Sequence, residues 1–251
     1  MQPKATLEDT LTLMRDLRRR CDWDAAQTHE SLRPYLIEEA HELDDALRDS
    51  DQSKMREELG DVLLQVLFHS VIAEERGEFD AGDVAGGLIA KMKKRHPHLY
   101  SDGDRVPWEQ MKARHRESIE EGLASGLPTL HRAHRLQDRA AGVGFDWSDV
   151  NGPMDKVEEE LREVRTLVDQ RAPKEELEKE LGDLLFAVVN LCRKADVHAA
   201  LALDTANTKF VRRFTGIEQL AAERGIDVQT AGLAVLDALW DEVKASEAES
   251  R

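Results

Sequence analysis

An acidic motif that occurs twice constrains the fold of this chain more than any other feature of its sequence. Each copy consists of E-E-x-x-E followed, after 15 or 16 residues, by E-L-G-D. The first copy spans residues 38–61 and the second spans residues 159–183, so that Asp61 and Asp183 lie 122 positions apart. Two copies in the same order and at nearly the same separation indicate an internal duplication rather than a chance acidic surface.

The segments around the two motifs support the duplication. The apolar stretches after the aspartates, VLLQVLF and LLFAVVN, align without a gap. Three further pairs of blocks keep the same order, namely CDWD with FDWS, KMKKR with KFVRR, and WEQMK with WDEVK. We therefore expect two tandem domains, residues 1–120 and residues 121–251.

Periodicity and composition predict an all-α fold. Leu7, Leu11, Met14 and Leu17 follow one another at spacings of four and three, which places them on one face of a helix. Aromatic residues make up only 5% of the chain, and the sequence shows neither a hairpin signal nor a run of alternating strand pattern. The stretches that begin at the two E-L-G-D motifs are more uniformly apolar, so we expect each to form a central, buried helix.

The charge balance limits the partners of the chain. There are 51 acidic residues and 35 basic ones, which gives a formal net charge of −16. A nucleic-acid polymer requires a basic surface for phosphate neutralisation, so we expect no partner of this class. Cations, and small phosphorylated ligands bound through them, are compatible with this charge.

The sequence predicts a soluble, cytoplasmic protein. Cys21 and Cys192 lie far apart and neither belongs to a paired metal motif, which favours a reducing compartment. The N-terminal segment lacks an apolar run of the signal-peptide type. Nowhere does the chain reach the roughly 18 consecutive apolar residues of a membrane span, so no membrane association is expected.

The spacing within each motif brings carboxylates together. Residues three apart share a helix face, and the intervening segment is long enough for a turn between two antiparallel helices. Because like charges beside an apolar core repel one another, a cation or bound protons must compensate them, and a metal site is the interpretation that we favour. All-oxygen ligands favour Mg²⁺, with Mn²⁺ as a substitute. The predicted ligands are Glu39, Glu42, Glu58 and Asp61 in the first half, and Glu160, Glu163, Glu180 and Asp183 in the second.

Basic residues in the second half suggest a triphosphate ligand. Mg²⁺ commonly completes its coordination with substrate phosphates. Lys209, Arg212 and Arg213 share one short segment, and Lys244 lies one helical turn after Trp240. These cations suit phosphate oxygens, and the indole ring offers a surface for stacking. Surface ion pairs and core packing are the alternative uses of these side chains.

With RHPH, GFDW, GDLLFAVVN and KFVRRF added to the two acidic motifs in this order, the chain resembles the MazG family. MazG proteins are bacterial nucleoside triphosphate pyrophosphohydrolases of the all-α NTP pyrophosphatase superfamily. The resemblance runs from CDWDAAQTHESLRPYLIEEA to LWDEVK. It implies two MazG-type helical bundles assembled in a homodimer. It also implies Mg²⁺-dependent cleavage of nucleoside triphosphates between the α and β phosphates, to a monophosphate and pyrophosphate, in the service of the nucleotide pool.

The resemblance also implies residue roles. The second and third glutamates of the first motif, together with the glutamate and aspartate of E-L-G-D, would hold the metal. The first glutamate, Glu159 or Glu38, would orient the attacking water. The family's nucleotide-binding positions correspond here to Lys156, Lys209, Arg213, Trp240 and Lys244.

The two halves differ at positions beside the carboxylates. Lys156 lies four residues before Glu160, whereas Tyr35 lies four residues before Glu39. Asn190 lies seven residues after Asp183, where the first half has Phe68. Since the second half keeps more polar groups, we expect it to be the main catalytic half and assign Glu159, Glu160, Glu163, Glu180 and Asp183 to catalysis. Asn190 joins the predicted substrate-binding residues.

Other types of site fit the sequence less well. A di-iron bundle would need Glu-x-x-His on two helices, and Arg162 stands where the second histidine would be. His96 and His98 of RHPH lack further zinc ligands nearby, and P-loop and dinucleotide fingerprints are absent. Two alternatives stay open: a non-enzymatic helical module that binds nucleotides or a protein, and a sister pyrophosphohydrolase restricted to dUTP or phosphoribosyl-ATP. The sister enzymes usually carry one copy of the motif.

Overall fold

The computed structural model describes residues 4–101 and 116–249, and every regular element within these ranges is a helix. The chain forms two compact units, residues 1–105 and residues 106–251. The division expected after residue 120 stays a prediction, and the WEQMK block lies outside the described residues. None of the described helices combines the length and apolar character needed to cross a membrane.

The first unit contains α1 to α6, and the described part of the second contains α7 to α11. In chain order the bounds are α1 Leu7–Arg20, α2 Asp22–Ala26, α3 His29–Arg48, α4 Gln52–Glu75, α5 Ala81–Arg95, α6 Pro97–Tyr100, α7 Thr129–Gly142, α8 Asn151–Gln170, α9 Lys174–Lys194, α10 Ala199–Glu223 and α11 Leu233–Glu249.

Polar caps and tight turns define the two helical hairpins that carry the acidic motifs. The side chain of Thr28 accepts a hydrogen bond from the backbone N–H of Ser31 and so begins α3, and Asp51 caps α4 in the same way through Ser53 and Lys54. In the second unit, Arg171 adopts a left-handed conformation with φ of 52° at the end of α8. Both turns are short, so α3 packs against α4 and α8 packs against α9, as the sequence predicts.

The core of the first unit lies between α1, α3 and α4. Met14 of α1 and Leu32 of α3 are buried against Phe68, Val71 and Ile72 of α4, and each of these side chains is at most 3% exposed. The second half of α4 is therefore a buried helix, as its apolar sequence predicts.

The expectation that the equivalent helix α9 is a central, buried helix is wrong for the single chain. Ala187 and Val189 are buried, but Leu185 is 60% exposed and Phe186 is 46% exposed. The reason is that α8 and α7 pack along one side of α9, and the described part of the unit leaves the other apolar side open. A separate apolar cluster around Ile217 joins α10 to α11.

Candidate active site

Three carboxylates of the second motif meet between α8 and α9. Glu160 projects from α8, and Glu180 and Asp183 project from α9; each offers one oxygen that lies within 4.8 Å of the other two. Glu160 is only 5% exposed, whereas Asp183 opens to solvent. One side of this cluster is thus embedded in the protein, and the other side is open to a ligand.

The fourth predicted ligand, Glu163, lies beside this cluster. Burial, a hydrogen bond with Glu163, and the charges of Glu163, Asp183 and Glu160 together raise the pKa of Glu180. A carboxylate with a raised pKa among other carboxylates gains stability from a cation. Since the donor set consists of oxygens alone, it fits a hard divalent ion of the Mg²⁺ class.

Lys156 connects the first glutamates of the motif. Its Nζ lies 2.6 Å from Glu160 Oε1 and 3.0 Å from Glu159 Oε1. The hydrogen bonds to Glu160 and then to Glu159 raise the pKa of Lys156, so the ammonium stays charged. Lys156 therefore supplies a positive charge in direct contact with Glu160, a member of the carboxylate cluster.

The first unit repeats the carboxylate cluster without the lysine. Oxygens of Glu39, Glu58 and Asp61 lie within 4.8 Å of one another, and all three side chains are partly exposed. Burial, followed by the charges of Asp61 and Glu42, raises the pKa of Glu39. Burial and then the charge of Glu42 likewise raise the pKa of Glu58.

The surroundings of the two clusters differ as the sequence predicts. At the position of Lys156 the first unit has Tyr35, whose ring meets that of Trp23 edge-on at 6.5 Å between ring centres. Phe68 lies in the apolar core at the position of Asn190. The second cluster is therefore the one with additional polar groups.

A cavity of about 600 Å³ adjoins the second carboxylate cluster. Lys156 and two carboxylates of the cluster, Glu160 and Asp183, line it together with a set of apolar side chains. A cavity lined by both charged and apolar groups matches a ligand with a polyanionic part and a planar, weakly polar part. The apolar wall consists of Ile119, Leu136, Ala140, Phe145, Trp147, Phe186 and Ala187, and the other polar residues of the lining are Glu120, Gln137, Asn190 and Arg193.

Arg193 lines this cavity and pairs with Asp146, although the sequence did not single out either residue. Arg193 Nε donates to Asn190 Oδ1 at 2.9 Å, and the guanidinium also pairs with Asp146. Lys194 binds the same carboxylate at 3.1 Å. Partial burial alone would raise the pKa of Asp146, but the hydrogen bonds from Arg193 and Lys194 outweigh it and lower this pKa. GFDW contains Asp146, yet the motif alone does not indicate its partners.

Gln137 is a second cavity residue that sequence analysis missed. Its side chain is 5% exposed, and Nε2 donates to the backbone carbonyl of Phe186 at 2.8 Å. Oε1 is buried and has no hydrogen-bond partner among the described residues. A buried amide on a helix gives no sequence signal that separates a structural glutamine from a ligand-binding one.

Trp147 reaches the cavity wall because Gly152 leaves room for it. The indole ring lies where a side chain at position 152 would be, so even a Cβ would collide with the ring. Gly152 is the second residue of α8. The small residue in VNGP therefore allows the tryptophan of the GFDW motif to pack against the start of α8.

The predicted binding residues near the chain end lie elsewhere in the second unit. Lys209, Arg212 and Arg213 are on α10, and Trp240 and Lys244 are on α11. None of the five is among the residues that line the cavity. Their substrate-binding role stays a prediction.

Three of these residues, Arg212, Arg213 and Trp240, are in contact with an acid or with one another. Arg212 and Arg213 both pair with Glu247, at 2.7 and 2.9 Å. The guanidinium of Arg213 also lies 5.6 Å from the centre of the Trp240 ring. Phe210 packs on the same ring at 5.6 Å between ring centres.

Comparison with known proteins agrees with this geometry. Residues 27–100 and 152–216 both match the family described as the MazG nucleotide pyrophosphohydrolase domain. The chain belongs to the MazG family. Each matched segment contains one acidic MazG motif and both helices that present it, so the duplication inferred from the sequence is confirmed.

Relatives with a MazG-type sequence extend over the whole chain. The nucleoside triphosphate pyrophosphohydrolase/pyrophosphatase MazG of Thermotoga maritima is 43% identical over 249 residues, which cover 96% of each chain. The nucleoside triphosphate pyrophosphohydrolase of Escherichia coli K12 is 38% identical over 261 residues, covering 96% of this chain and 98% of that protein. The uncharacterized protein YabN of Bacillus subtilis is 41% identical over 252 residues, which cover 95% of this chain and 52% of that protein.

Proposed function

We propose that this protein hydrolyses nucleoside triphosphates between the α and β phosphates, yielding a nucleoside monophosphate and pyrophosphate. The observation that carries the proposal is the cavity of the second unit, where an oxygen-only carboxylate cluster and Lys156 adjoin an apolar, aromatic-lined space. Relatives that match nearly the full chain are named nucleoside triphosphate pyrophosphohydrolases. The net charge of −16 favours free nucleotides over a nucleic-acid polymer as the substrate.

The carboxylate cluster and the apolar wall would bind different parts of the substrate. Glu160, Glu163, Glu180 and Asp183 would hold Mg²⁺, or Mn²⁺ in its place. Such an ion neutralises phosphate oxygens and lowers the pKa of a water bound to it. The apolar wall accepts the base and excludes water from one face of it. Trp147 and Phe186 supply the aromatic surfaces for this contact.

The charged groups near the carboxylates have separate tasks. The ammonium group of Lys156 stabilises negative charge on the triphosphate. Glu159 is exposed, and in residues 4–101 and 116–249 the partner of its carboxylate is Lys156, so the carboxylate can turn and accept a hydrogen bond from the attacking water. Asn190, held by Arg193, presents its amide between the metal site and the apolar wall.

The second unit carries the main activity in this proposal. Both units gather three carboxylates within 4.8 Å, but only the second adds a lysine and a buried asparagine. The first unit would bind a metal more weakly or serve as a structural partner. A role in clearing or balancing the nucleotide pool of the cytoplasm follows from the reaction, and the free thiols of Cys21 and Cys192 are consistent with that compartment.

The proposal includes a homodimer. The open side of α9 exposes Leu181, Leu185 and Val188, which are 41%, 60% and 38% exposed, and Leu161 of α8 is 48% exposed. Apolar residues in such a row on a soluble protein mark an interaction surface. A second copy that packs its own α8 and α9 there would cover this surface and enclose the carboxylate cluster, which lies on the same pair of helices.

The experiment that tests the proposal compares two aligned aspartates. Asp183→Asn and Asp61→Asn remove the same charge from the same position of the two repeats without changing side-chain volume. We expect Asp183→Asn to lower kcat by on the order of 100-fold or more, because it removes a metal-binding carboxylate from the catalytic half. Asp61→Asn should cost far less. Equal losses would contradict the assignment to the second unit, and retention of full activity by Asp183→Asn would contradict the site itself.

A further inference from the structure

Three histidines meet in the second unit, away from the carboxylate cluster. His131 and His134 lie one turn apart on α7, and His198 immediately precedes α10. The ring centre of His198 lies 4.9 Å from that of His131 and 4.6 Å from that of His134. The proposed nucleotide reaction makes no use of these residues.

Two of the rings have buried nitrogens without partners. Nδ1 of His134 and Nδ1 of His198 are closed off from solvent, and neither has a hydrogen-bond partner in the part of the chain that the structure describes. A buried polar atom without a partner loses its hydration with nothing in return, so native proteins rarely leave one. Two such atoms in adjacent rings point to a shared ligand.

Asp138 fixes the chemistry of His134. Its carboxylate Oδ2 lies 3.7 Å from His134 Nε2, beyond hydrogen-bond distance, and the negative charge at that side of the ring favours a proton on Nε2. The unpartnered Nδ1 then carries the lone pair. A histidine whose far nitrogen faces a carboxylate is the usual arrangement of a metal ligand in proteins.

The surroundings of two of the rings disfavour their charged form. Burial is the main cause that lowers the pKa of both His131 and His134. The nearby cations do not compete for the lone pairs, because Arg135 pairs with Asp138 at 2.7 Å and Arg193 pairs with Asp146. The charged and titratable groups that face the rings are Arg135 and Asp138 of α7, Arg193 of α9, and the histidines themselves.

We propose that His131, His134 and His198 form a binding site for a divalent transition-metal ion, with Zn²⁺ as the preferred ion. Neutral imidazole nitrogens favour Zn²⁺ and its neighbours over Mg²⁺, so this site is chemically distinct from the oxygen-only clusters. Three imidazoles that bind one ion at about 2.0 Å hold their ring centres on the order of 5 Å apart, close to the observed separations.

The rings must turn for all three nitrogens to reach one ion. Among the described residues, the groups whose ligand atoms already lie within 4.8 Å of one another are the two carboxylate clusters. The torsion that turns a histidine ring has broad, shallow preferences, so this adjustment needs no movement of the backbone. His131 stays partly exposed and leaves a path for the ion and for a water as fourth ligand.

An ion at this site would link two elements that serve the cavity. α7 carries Gln137, one turn after His134, and α10 begins directly after His198. An ion that joins α7 to α10 would restrain the end of α9, because α9 lies between them in the sequence. The part of the cavity wall that α9 supplies would then be restrained as well. The proposal does not depend on the nucleotide reaction, since the carboxylate cluster takes no part in it.

The test is a calorimetric titration in which Zn²⁺ is added to the full chain. The buffer contains an excess of Mg²⁺, which occupies the carboxylate clusters. We expect one tight Zn²⁺ per chain, and a loss of affinity of more than about 10-fold in His198→Asn and in His131→Asn. The double variant His96→Asn/His98→Asn, which removes two histidines of the first unit, is the matched control and should keep the tight site.

A second set of measurements separates loss of the site from loss of the fold. Each variant is melted in EDTA, where it should match the parent chain, and again with Zn²⁺, which should raise the Tm of the parent but not of His198→Asn. Asp138→Asn keeps all three ligands and should lower affinity by about 10-fold, because it removes the partner of His134. Unchanged Zn²⁺ affinity in His198→Asn, or loss of the site in the control double variant, would overturn the proposal.

Discussion

Removal of the Asp146 carboxylate tests how the cavity of the second unit is held together. Arg193 is 10% exposed and Lys194 is 18% exposed in their side chains, and both depend on Asp146. Asp146→Ala would leave a nearly buried guanidinium without its carboxylate. Breaking such a charge-assisted contact costs about 2–3 kcal/mol, below the range for fully buried pairs because Asp146 itself keeps some contact with solvent.

The expected loss is large enough for a thermal melt. For a unit of this size, about 2–4 °C of Tm corresponds to each kcal/mol, so the transition of the second unit should fall by roughly 4–12 °C at pH 7. Asp22→Ala is the matched control, since Asp22 of CDWD aligns with Asp146 of FDWS and is exposed. It should leave the Tm of the first unit within about 1 °C.

The pH dependence has a definite sign. The folded-state pKa of Asp146 lies below its ordinary value of 3.8, because the hydrogen bonds from Arg193 and Lys194 outweigh burial. The stabilisation is therefore complete above that ordinary value and is lost as the pH falls through the folded-state pKa. The difference in Tm between the parent chain and Asp146→Ala should shrink in acid. A variant that melts with the parent at pH 7, or a gap that stays constant into acid, would refute this reasoning.

Three further perturbations probe the site and its surface. Gln137→Leu removes an unpartnered buried oxygen and one hydrogen bond to Phe186, so we expect the free energy of unfolding to change by less than about 1 kcal/mol. In steady-state kinetics, KM for the nucleotide should rise severalfold while kcat is retained. Gly152→Ala would displace Trp147 from the cavity wall, so the indole fluorescence should shift and KM for the nucleotide should rise. Unchanged fluorescence would contradict a collision between the new Cβ and the Trp147 ring. Leu185→Lys places a charge on the open side of α9. If the proposed homodimer forms there, light scattering should report dimers for the parent chain and monomers for the variant.

The features that sequence predicts well here depend on local spacing. Residues three apart on a helix share a face, so the pairing of Glu180 with Asp183 follows from E-L-G-D alone. The turn between α8 and α9 is short, which forces Glu160 to face them. Because the first unit has the same motif, the same reasoning applies to Glu39, Glu58 and Asp61, and the structure brings those three together as well.

The features that sequence does not predict depend on contacts between distant positions. Gln137 meets the carbonyl of Phe186 across 49 positions, and Arg193 meets Asp146 across 47. Neither separation leaves a periodic signal. The exposure of α9 was misjudged for a related reason: Leu185 is as apolar as the buried residues of α4, and hydrophobicity alone does not say whether the chain itself or a second copy covers it.

The location of the basic residues shows a further limit. KFVRR has the composition of a phosphate-binding segment, yet Arg212 and Arg213 both pair with Glu247 of the next helix. The sequence gives no means of choosing between a phosphate and an acidic side chain as the partner of an arginine. In the single chain, Glu247 is the partner of both arginines.

The position of bond cleavage is the central claim, and product analysis in ¹⁸O-labelled water tests it most directly. The purified chain is incubated with a panel of ribo- and deoxyribonucleoside triphosphates, with Mg²⁺ or with EDTA. The products are separated by anion exchange, and their masses are measured by mass spectrometry. We predict monophosphate and pyrophosphate only when Mg²⁺ is present, with the label in one of these two products. Diphosphate and orthophosphate would contradict the proposed reaction, and no turnover across the panel would favour a nucleotide-binding module without catalysis.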